Sequence, residues 1–136
     1  MRVVLDTSVL VAAIRSRRGA SFQLLTRLGS DDFDVAVSVP LVLEYEDALM
    51  RHLSSTTLDE SDIAAILDYM CSVADHQEIF FLWRPILRDP GDDMLLEVAV
   101  AADCQAIVTH NVRDFAGAEK FGLRVLTPSA FLQEIQ

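Results

Sequence analysis

Oxygen-bearing side chains stand at four separate places along the chain where they could meet at one site. They are Asp6, Glu44, Asp93, Asn111 and Asp114. Carboxylate and carbonyl oxygens are the ligands that Mg²⁺ and Mn²⁺ prefer in proteins. A hard cation held in this way polarises a phosphate, turns a bound water into hydroxide and stabilises the leaving oxyanion. The set therefore predicts phosphodiester hydrolysis that depends on Mg²⁺ or Mn²⁺.

Asp6 is the acid with the clearest signal, because it ends the apolar run of residues 3–5. An alternative interpretation is that it caps the next helix, since Asp is a favoured N-cap residue. Thr7 and Ser8 already supply caps there, and an aspartate that ends a buried strand is costly without a partner. Ser8 itself is interpreted first as a cap and second as a hydroxyl that supports the site.

Neighbouring acids are interpreted differently from the predicted ligands. Glu44 borders the inward face of its helix, whereas Glu46 points to the opposite face and is expected in solvent. Asp92 is interpreted as a charge that offsets the helix dipole, and Asp93 as the ligand. Glu97 lies one turn beyond Asp93 and is a minor candidate that points either into the site or into solvent.

Basic side chains are few, and they suggest where the phosphates of a substrate could be held. Arg15, Arg17 and Arg18 form one cluster after the first helix. This cluster is read first as solvated loop charge and second as a phosphate grip. Arg113 lies beside the acidic residues and is a further candidate for RNA binding. His110 is close to them in sequence, but a structural or surface role is expected.

Apolar runs alternate with helical patterns from one end of the chain to the other. Strands are predicted at residues 3–5, 34–38, 79–82, 106–108 and 123–126. Helices are predicted to begin near residues 7, 20, 40, 57, 92 and 128. This alternation predicts an α/β fold: a three-layer α/β/α sandwich with a central, mostly parallel sheet of four to five strands. Ligands of such a sheet bind outside the carboxyl ends of its strands, where all the predicted site residues fall.

Length and composition indicate a single globular domain over residues 1–136. The chain is 51% hydrophobic and has a net charge of −10. That charge argues against a simple nucleic-acid coat protein but not against a nuclease, because cations can fill an acidic site. No apolar run approaches the ~20 residues that a membrane helix needs. We therefore expect a cytoplasmic protein.

Four segments resemble those of the PIN-domain family. They are MRVVLDTSVL at residues 1–10, PLVLE at residues 40–44, DMLLEVAVAA at residues 93–102 and IVTHNVRDF at residues 107–115. The resemblance spans nearly the whole chain. It is greatest to the VapC-like toxins of bacterial and archaeal toxin–antitoxin pairs.

The resemblance implies a Mg²⁺- or Mn²⁺-dependent endoribonuclease that forms a homodimer and is inhibited by a cognate antitoxin. Asp6, Glu44 and Asp93 match the metal-binding acids of the family. Many members have Asp where this chain has Asn111, and Asp114 could supply the missing charge three residues later. Thr109 matches the hydroxyl position beside the site.

Other functions fit the same fold less well. A haloacid-dehalogenase-like phosphatase needs a second aspartate at the position of Ser8, and a receiver domain needs a lysine at a strand end, where Lys120 does not lie. A stronger alternative is a degenerate PIN domain that binds RNA or protein without cutting it. Asn111 and the acidic composition motivate that alternative.

Overall fold

A parallel five-stranded sheet forms the centre of the fold. The computed structural model describes residues 1–78, 87 and 89–136. Within these residues the strands are β1 (Arg2–Leu5), β2 (Asp34–Val37), β3 (Asp75–His76), β4 (Ala106–Val108) and β5 (Arg124–Leu126). Their order is β3-β2-β1-β4-β5, and all four neighbouring pairs are parallel. The predicted parallel sheet is therefore confirmed.

Helices cover this sheet on two sides. They are α1 (Thr7–Arg15), α2 (Ala20–Thr26), α3 (Val39–Arg51), α4 (Glu60–Val73), α5 (Pro90–Ala101) and α6 (Pro128–Ile135). The chain steps from β1 to β2 to β3 in one direction and returns to β4 in the other. Since parallel crossovers are right-handed, α1 to α4 cover one face and α5 covers the other. This arrangement is the predicted three-layer α/β/α sandwich.

Capping side chains explain where several helices begin. The Ser38 side chain accepts a hydrogen bond from the Leu41 N–H, so β2 ends one residue earlier than predicted. Asp59 and Asp62 form a reciprocal capping box at the start of α4. Asp89 caps α5, which starts at Pro90, two residues before the predicted position.

The third strand is the element on which sequence and structure differ most. The strand predicted at residues 79–82 lies outside the described residues. The described third strand, Asp75–His76, has two polar residues and pairs with β2 at the edge of the sheet. A two-residue polar strand has no apolar run that a pattern search could detect.

The core lies on both faces of the sheet. Val3, Val4 and Leu5 of β1 are fully buried, as expected for a central strand covered on both sides. Each large apolar side chain buried in this way contributes about 1.5–3 kcal/mol to the free energy of unfolding. No helix in the described part of the chain is long and apolar enough to cross a membrane.

The strand order reverses between β1 and β4, which creates a crevice. The connection from β1 leads away to β2, whereas β4 joins β1 from the other side. In open parallel sheets, ligands bind in this crevice outside the carboxyl ends of the strands. Asp6 follows β1 directly, and Thr109 follows β4.

Candidate functional site

Asp6 lies at the carboxyl end of β1, held by two hydroxyl groups. The Ser8 and Thr109 hydroxyls each donate a hydrogen bond of 2.7 Å to the Asp6 Oδ2 atom. Its other oxygen, Oδ1, has one longer contact, 3.4 Å from the Thr7 hydroxyl. Asp6 occupies the N-cap position of α1, but its side chain makes no capping hydrogen bond. The buried carboxylate is thus fixed through one oxygen, and the other is more available to a ligand.

Thr109 joins the ends of β1 and β4. Its side chain is fully buried, and its hydroxyl donates to Asp6 while accepting a 2.9 Å hydrogen bond from the Asn111 N–H. The Ser8 hydroxyl accepts a 3.2 Å hydrogen bond from the His110 N–H. These bonds fix the turn of residues 109–111 against the start of α1. The structure therefore brings Ser8 and Thr109 into contact with Asp6.

Two cavities meet at Asp6. The larger, about 500 Å³, extends along α1 and includes Asn111 and Asp114 in its lining. The smaller, about 90 Å³, includes Glu44. Both are lined by Asp6, Asp89 and Asp92. Carboxylates from β1, α3, α5 and the segment after β4 therefore surround one crevice.

The two aspartates in the first turn of α5 have different surroundings. Asp92 is half-buried and lines both cavities. Asp93 is buried, and its carboxylate accepts a 2.9 Å hydrogen bond from the Leu87 N–H. Among the described residues, Asp93 does not contribute to the lining of either cavity. Glu97 is also buried, so the interpretation that it points into solvent is wrong.

The electrostatics of the crevice centre on Asp92. Burial, followed by the negative charges of Asp6, Asp89, Asp114 and Asp93, raises the pKa of Asp92 from 3.8 to about 7. Like charges gathered in a partly desolvated place favour the protonated form of a carboxyl group. The crevice therefore contains more negative charge than its surroundings compensate.

Asp92 lines the crevice, although the sequence interpretation assigned it to the helix dipole. A difference of one residue turns a side chain by about 100° around a helix, so Asp92 and Asp93 face different directions. The apolar pattern could have separated them only if α5 had a clear solvent face. It has none, since Leu95, Leu96 and Val98 are all buried.

Glu44 reaches the crevice from α3, the helix that also carries Tyr45. The Tyr45 hydroxyl donates a 2.5 Å hydrogen bond to the Leu5 carbonyl, immediately before Asp6. Burial, and then the charge of Asp6, raises the pKa of Tyr45 well above its usual value. The phenol is therefore a neutral donor that ties α3 to the end of β1. It fixes Glu44 relative to Asp6.

The predicted basic residues do not share one location. Arg15 lines the larger acidic cavity, whereas Arg17 lines a separate apolar cavity formed with α2 and α4. Arg18 and Arg113 are exposed and contribute to neither lining within the described residues. Arg51, at the end of α3, lines the acidic cavity although the sequence interpretation did not select it.

The donor set suits a hard cation, although the side chains are not yet arranged as a chelate. No three histidine, cysteine, aspartate or glutamate side chains within the described residues converge closely enough to hold a metal ion. The acidic side chains and the Asn111 amide that line the two cavities nevertheless supply oxygen donors. Asp89 and Asp114 are exposed and Asp92 is half-buried, so rotation of these side chains could bring their oxygens together.

Comparisons with known proteins show the family and agree with the fold. A family model described as "PIN domain" matches residues 2–113. No match is found among curated proteins. Among solved structures, the chain resembles the crystal structure of VapBC2 from Rickettsia felis bound to a DNA fragment from their promoter. The TM-score is 0.59 at 17% sequence identity, with 92% of this chain and 98% of that chain covered.

Proposed function

Because the chain belongs to the PIN-domain family, we propose that it is a metal-dependent endoribonuclease, the toxin of a toxin–antitoxin pair. PIN domains are generally nucleases that use divalent metals. The observation that carries the proposal is the buried Asp6, held by two hydroxyls in a crevice that Asp92 and Asp114 also line. RNA in the cytoplasm is the proposed substrate.

The residues proposed to hold Mg²⁺ or Mn²⁺ come from four segments. They are Asp6, Glu44, Asp92, Asn111 and Asp114. We propose Asp92 in place of Asp93 as the ligand from α5, because Asp92 lines both cavities and Asp93 accepts the Leu87 N–H. The metal, when bound, would lower the pKa of a water and stabilise the leaving oxyanion.

The chain's own residues would orient this chemistry. Ser8 and Thr109 donate to Asp6 Oδ2 and so hold the carboxylate in one orientation. Asp114, exposed at the rim, would add the charge that the neutral Asn111 amide lacks. Tyr45 would keep α3, and with it Glu44, in register with Asp6.

Cleavage assays with matched variants test this proposal. We expect wild-type protein to cleave single-stranded RNA with Mn²⁺ and to lose activity in EDTA. Asp6→Asn and Asp92→Asn should each lower the rate by on the order of 100-fold or more, since even groups that only support metal ligands contribute 10- to 100-fold. Glu46→Gln removes an exposed acid from α3 and is the control. Wild-type-like cleavage by Asp6→Asn would contradict the proposal.

The same assay decides which aspartate of α5 acts. We expect Asp93→Asn to reduce the free energy of unfolding, because the Leu87 N–H then loses a charged acceptor. The folded variant should retain more Mn²⁺-dependent activity than Asp92→Asn. The reverse order of activities would return the ligand role to Asp93.

A protein partner is the second part of the proposal. An apolar cavity of about 450 Å³ opens between α1, α2 and α4, and its lining includes Ile14, Leu25, Leu58 and Ile66. An apolar segment of a cognate antitoxin would bury its side chains there. Co-expression with the neighbouring open reading frame should yield a complex that Ile66→Glu weakens.

A homodimer is proposed from the family, and light scattering would report twice 15.1 kDa.

A catalytically degenerate PIN domain is the second candidate. The neutral Asn111, together with the absence of a ready three-ligand cluster in the described residues, favours it. A degenerate domain would bind RNA or protein, yet show no Mn²⁺-dependent cleavage that distinguishes Asp6→Asn from wild type.

A further inference from the structure

The larger acidic cavity is also a groove along one face of α1. Ser8, Val11, Ala12 and Arg15 all line it, at the three- and four-residue spacing of a single helix face. From Ser8 to Arg15 the helix rises about 10 Å. That length exceeds the rise of roughly 3.4 Å per nucleotide in a stacked strand. A strand of about three nucleotides therefore spans the distance from Ser8 to Arg15.

Cationic side chains gather in the same groove. Arg15 closes the last turn of α1, and Arg51 the last turn of α3, with His52 beside it. Arginines in last turns also stabilise helix dipoles, which explains their positions in the helices. The dipole does not explain why both arginines line the groove that contains Asp6.

The guanidinium groups of these two arginines have N–H donors that no hydrogen bond within the described residues occupies. Arg51 contacts Glu44 at 3.9 Å and Asp47 at 3.8 Å, both at the outer limit of an ion pair, and its side chain is 62% exposed. In the described part of the chain, Arg15 makes no ion pair and neither arginine donates a side-chain hydrogen bond. A guanidinium presents five donors in a planar fork that matches two phosphate oxygens.

We propose that Arg15 and Arg51 form a phosphate subsite that holds the RNA backbone one or more nucleotides from the bond to be cut. The inference rests on the proposed function for the identity of the ligand. A chain with a net charge of −10 repels a polyanion overall, so binding requires local cations. His52 lines the groove next to Arg51 and contributes a further polar edge.

Salt-dependent binding tests the subsite separately from cleavage. A fluorescently labelled single-stranded RNA is titrated into Asp6→Asn protein, in which hydrolysis is suppressed, at several salt concentrations. Each contact to a single-stranded phosphate contributes about 0.7 to the slope of log K against log salt. We expect that adding Arg15→Ala or Arg51→Ala to the Asp6→Asn protein makes the slope shallower by about 0.7. Affinity at low salt should fall about tenfold, as for one charge-assisted hydrogen bond.

Two further variants separate a phosphate contact from a general charge effect. Arg27→Ala makes the same change in net charge and breaks a comparable ion pair, with Asp32 at 3.5 Å, outside the groove. We expect it to leave the slope unchanged. Arg51→Lys keeps the charge and should retain the wild-type slope. Equal slopes for Arg51→Ala and Arg27→Ala would overturn the subsite.

The subsite and the proposed function fail in different ways. If wild-type protein cleaves RNA with Mn²⁺ while both arginine variants bind like Arg27→Ala, the subsite is wrong and the nuclease stands. If wild-type protein does not cleave but binds RNA through Arg15 and Arg51, the subsite stands and the nuclease is wrong. Protein that neither binds nor cleaves RNA contradicts both.

Discussion

At the scale of single residues, the two hydroxyls on Asp6 determine how that carboxylate can act. Thr109 is fully buried and bonds to both Asp6 and the Asn111 N–H, so it serves β1 and the turn after β4 together. The sequence pattern selected Asp6, because it ends an apolar run. Ser8 was a supporting hydroxyl only in the second interpretation, and Thr109 was implied by the family resemblance. The sequence pattern could not show that both hydroxyls share one oxygen, which depends on the packing of β1 beside β4.

Replacing Thr109 tests this role. Thr109→Val keeps the shape of the side chain but leaves the Asn111 N–H without its acceptor and removes a donor from Asp6. We expect the free energy of unfolding in urea to fall by about 1–3 kcal/mol. RNA cleavage should fall by about 10- to 100-fold, and Thr109→Ser should restore most of both. Thr57→Val, at an exposed position, is the control. Wild-type cleavage by Thr109→Val would contradict the role.

The raised pKa of Asp92 predicts a pH dependence of stability. Because the pKa rises from 3.8 to about 7, the folded state binds this proton more tightly than the unfolded state. Stability should therefore decrease as the pH rises through that window. Without metal, Asp92→Asn should unfold at higher urea than wild type at about pH 8, with little difference at about pH 4. If the difference in urea midpoint between Asp92→Asn and wild type does not increase with pH, ionised Asp92 does not destabilise the fold.

At the scale of elements, one phenol sets the relation between α3 and β1. The Asp6 N–H bonds to Val108 on the β4 side, so the Leu5 carbonyl faces the other side, toward β2. The residues of β1 that pair with β2 are Arg2 and Val3, which come before Leu5 in the strand. The Tyr45 hydroxyl donates a hydrogen bond to this Leu5 carbonyl. Helical spacing could not identify the partner of Tyr45, which is 40 residues away.

Removal of this hydroxyl should affect both stability and activity. We expect Tyr45→Phe to lower the free energy of unfolding by about 1–3 kcal/mol, since the buried Leu5 carbonyl loses its donor. Mn²⁺ affinity should also fall, because Glu44 is no longer fixed relative to Asp6. Tyr69→Phe is a matched control: its hydroxyl also donates to a distant carbonyl, that of Leu28, but Tyr69 is 52% exposed and water can replace it. Equal Mn²⁺ affinities of Tyr45→Phe and wild-type protein would contradict the link between the Tyr45 hydroxyl and the position of Glu44.

At the scale of the whole molecule, chain topology creates the site. The reversal of strand order between β1 and β4 makes the crevice. Alternating apolar runs predicted the parallel sheet and the edge at which ligands bind, but not the order of the strands. The sequence pattern could not predict which way the side chains of α5 point, because that helix is buried on several sides. Of the two arginines in the groove, Arg15 was a candidate from the sequence. Arg51 was not, since it resembles any charge at a helix end until α1 and α3 pack together.

Metal should stabilise the whole fold. A cation that binds only the folded crevice raises stability by mass action. We expect Mn²⁺ to increase the melting temperature of wild-type protein, with a smaller increase for Asp6→Asn. K⁺ at equal ionic strength separates binding from screening. An equal increase in melting temperature for wild type and Asp6→Asn would show that Mn²⁺ binds outside the crevice.

The most direct measurement is an anomalous difference map from crystals soaked in Mn²⁺. We expect a peak in the crevice beyond β1 and β4, within coordination distance of Asp6 and Asp92 and with Glu44 or Asp114 turned toward it. A map without a peak beside Asp6, at Mn²⁺ concentrations that support cleavage of RNA, would contradict the assignment of this crevice as the catalytic site.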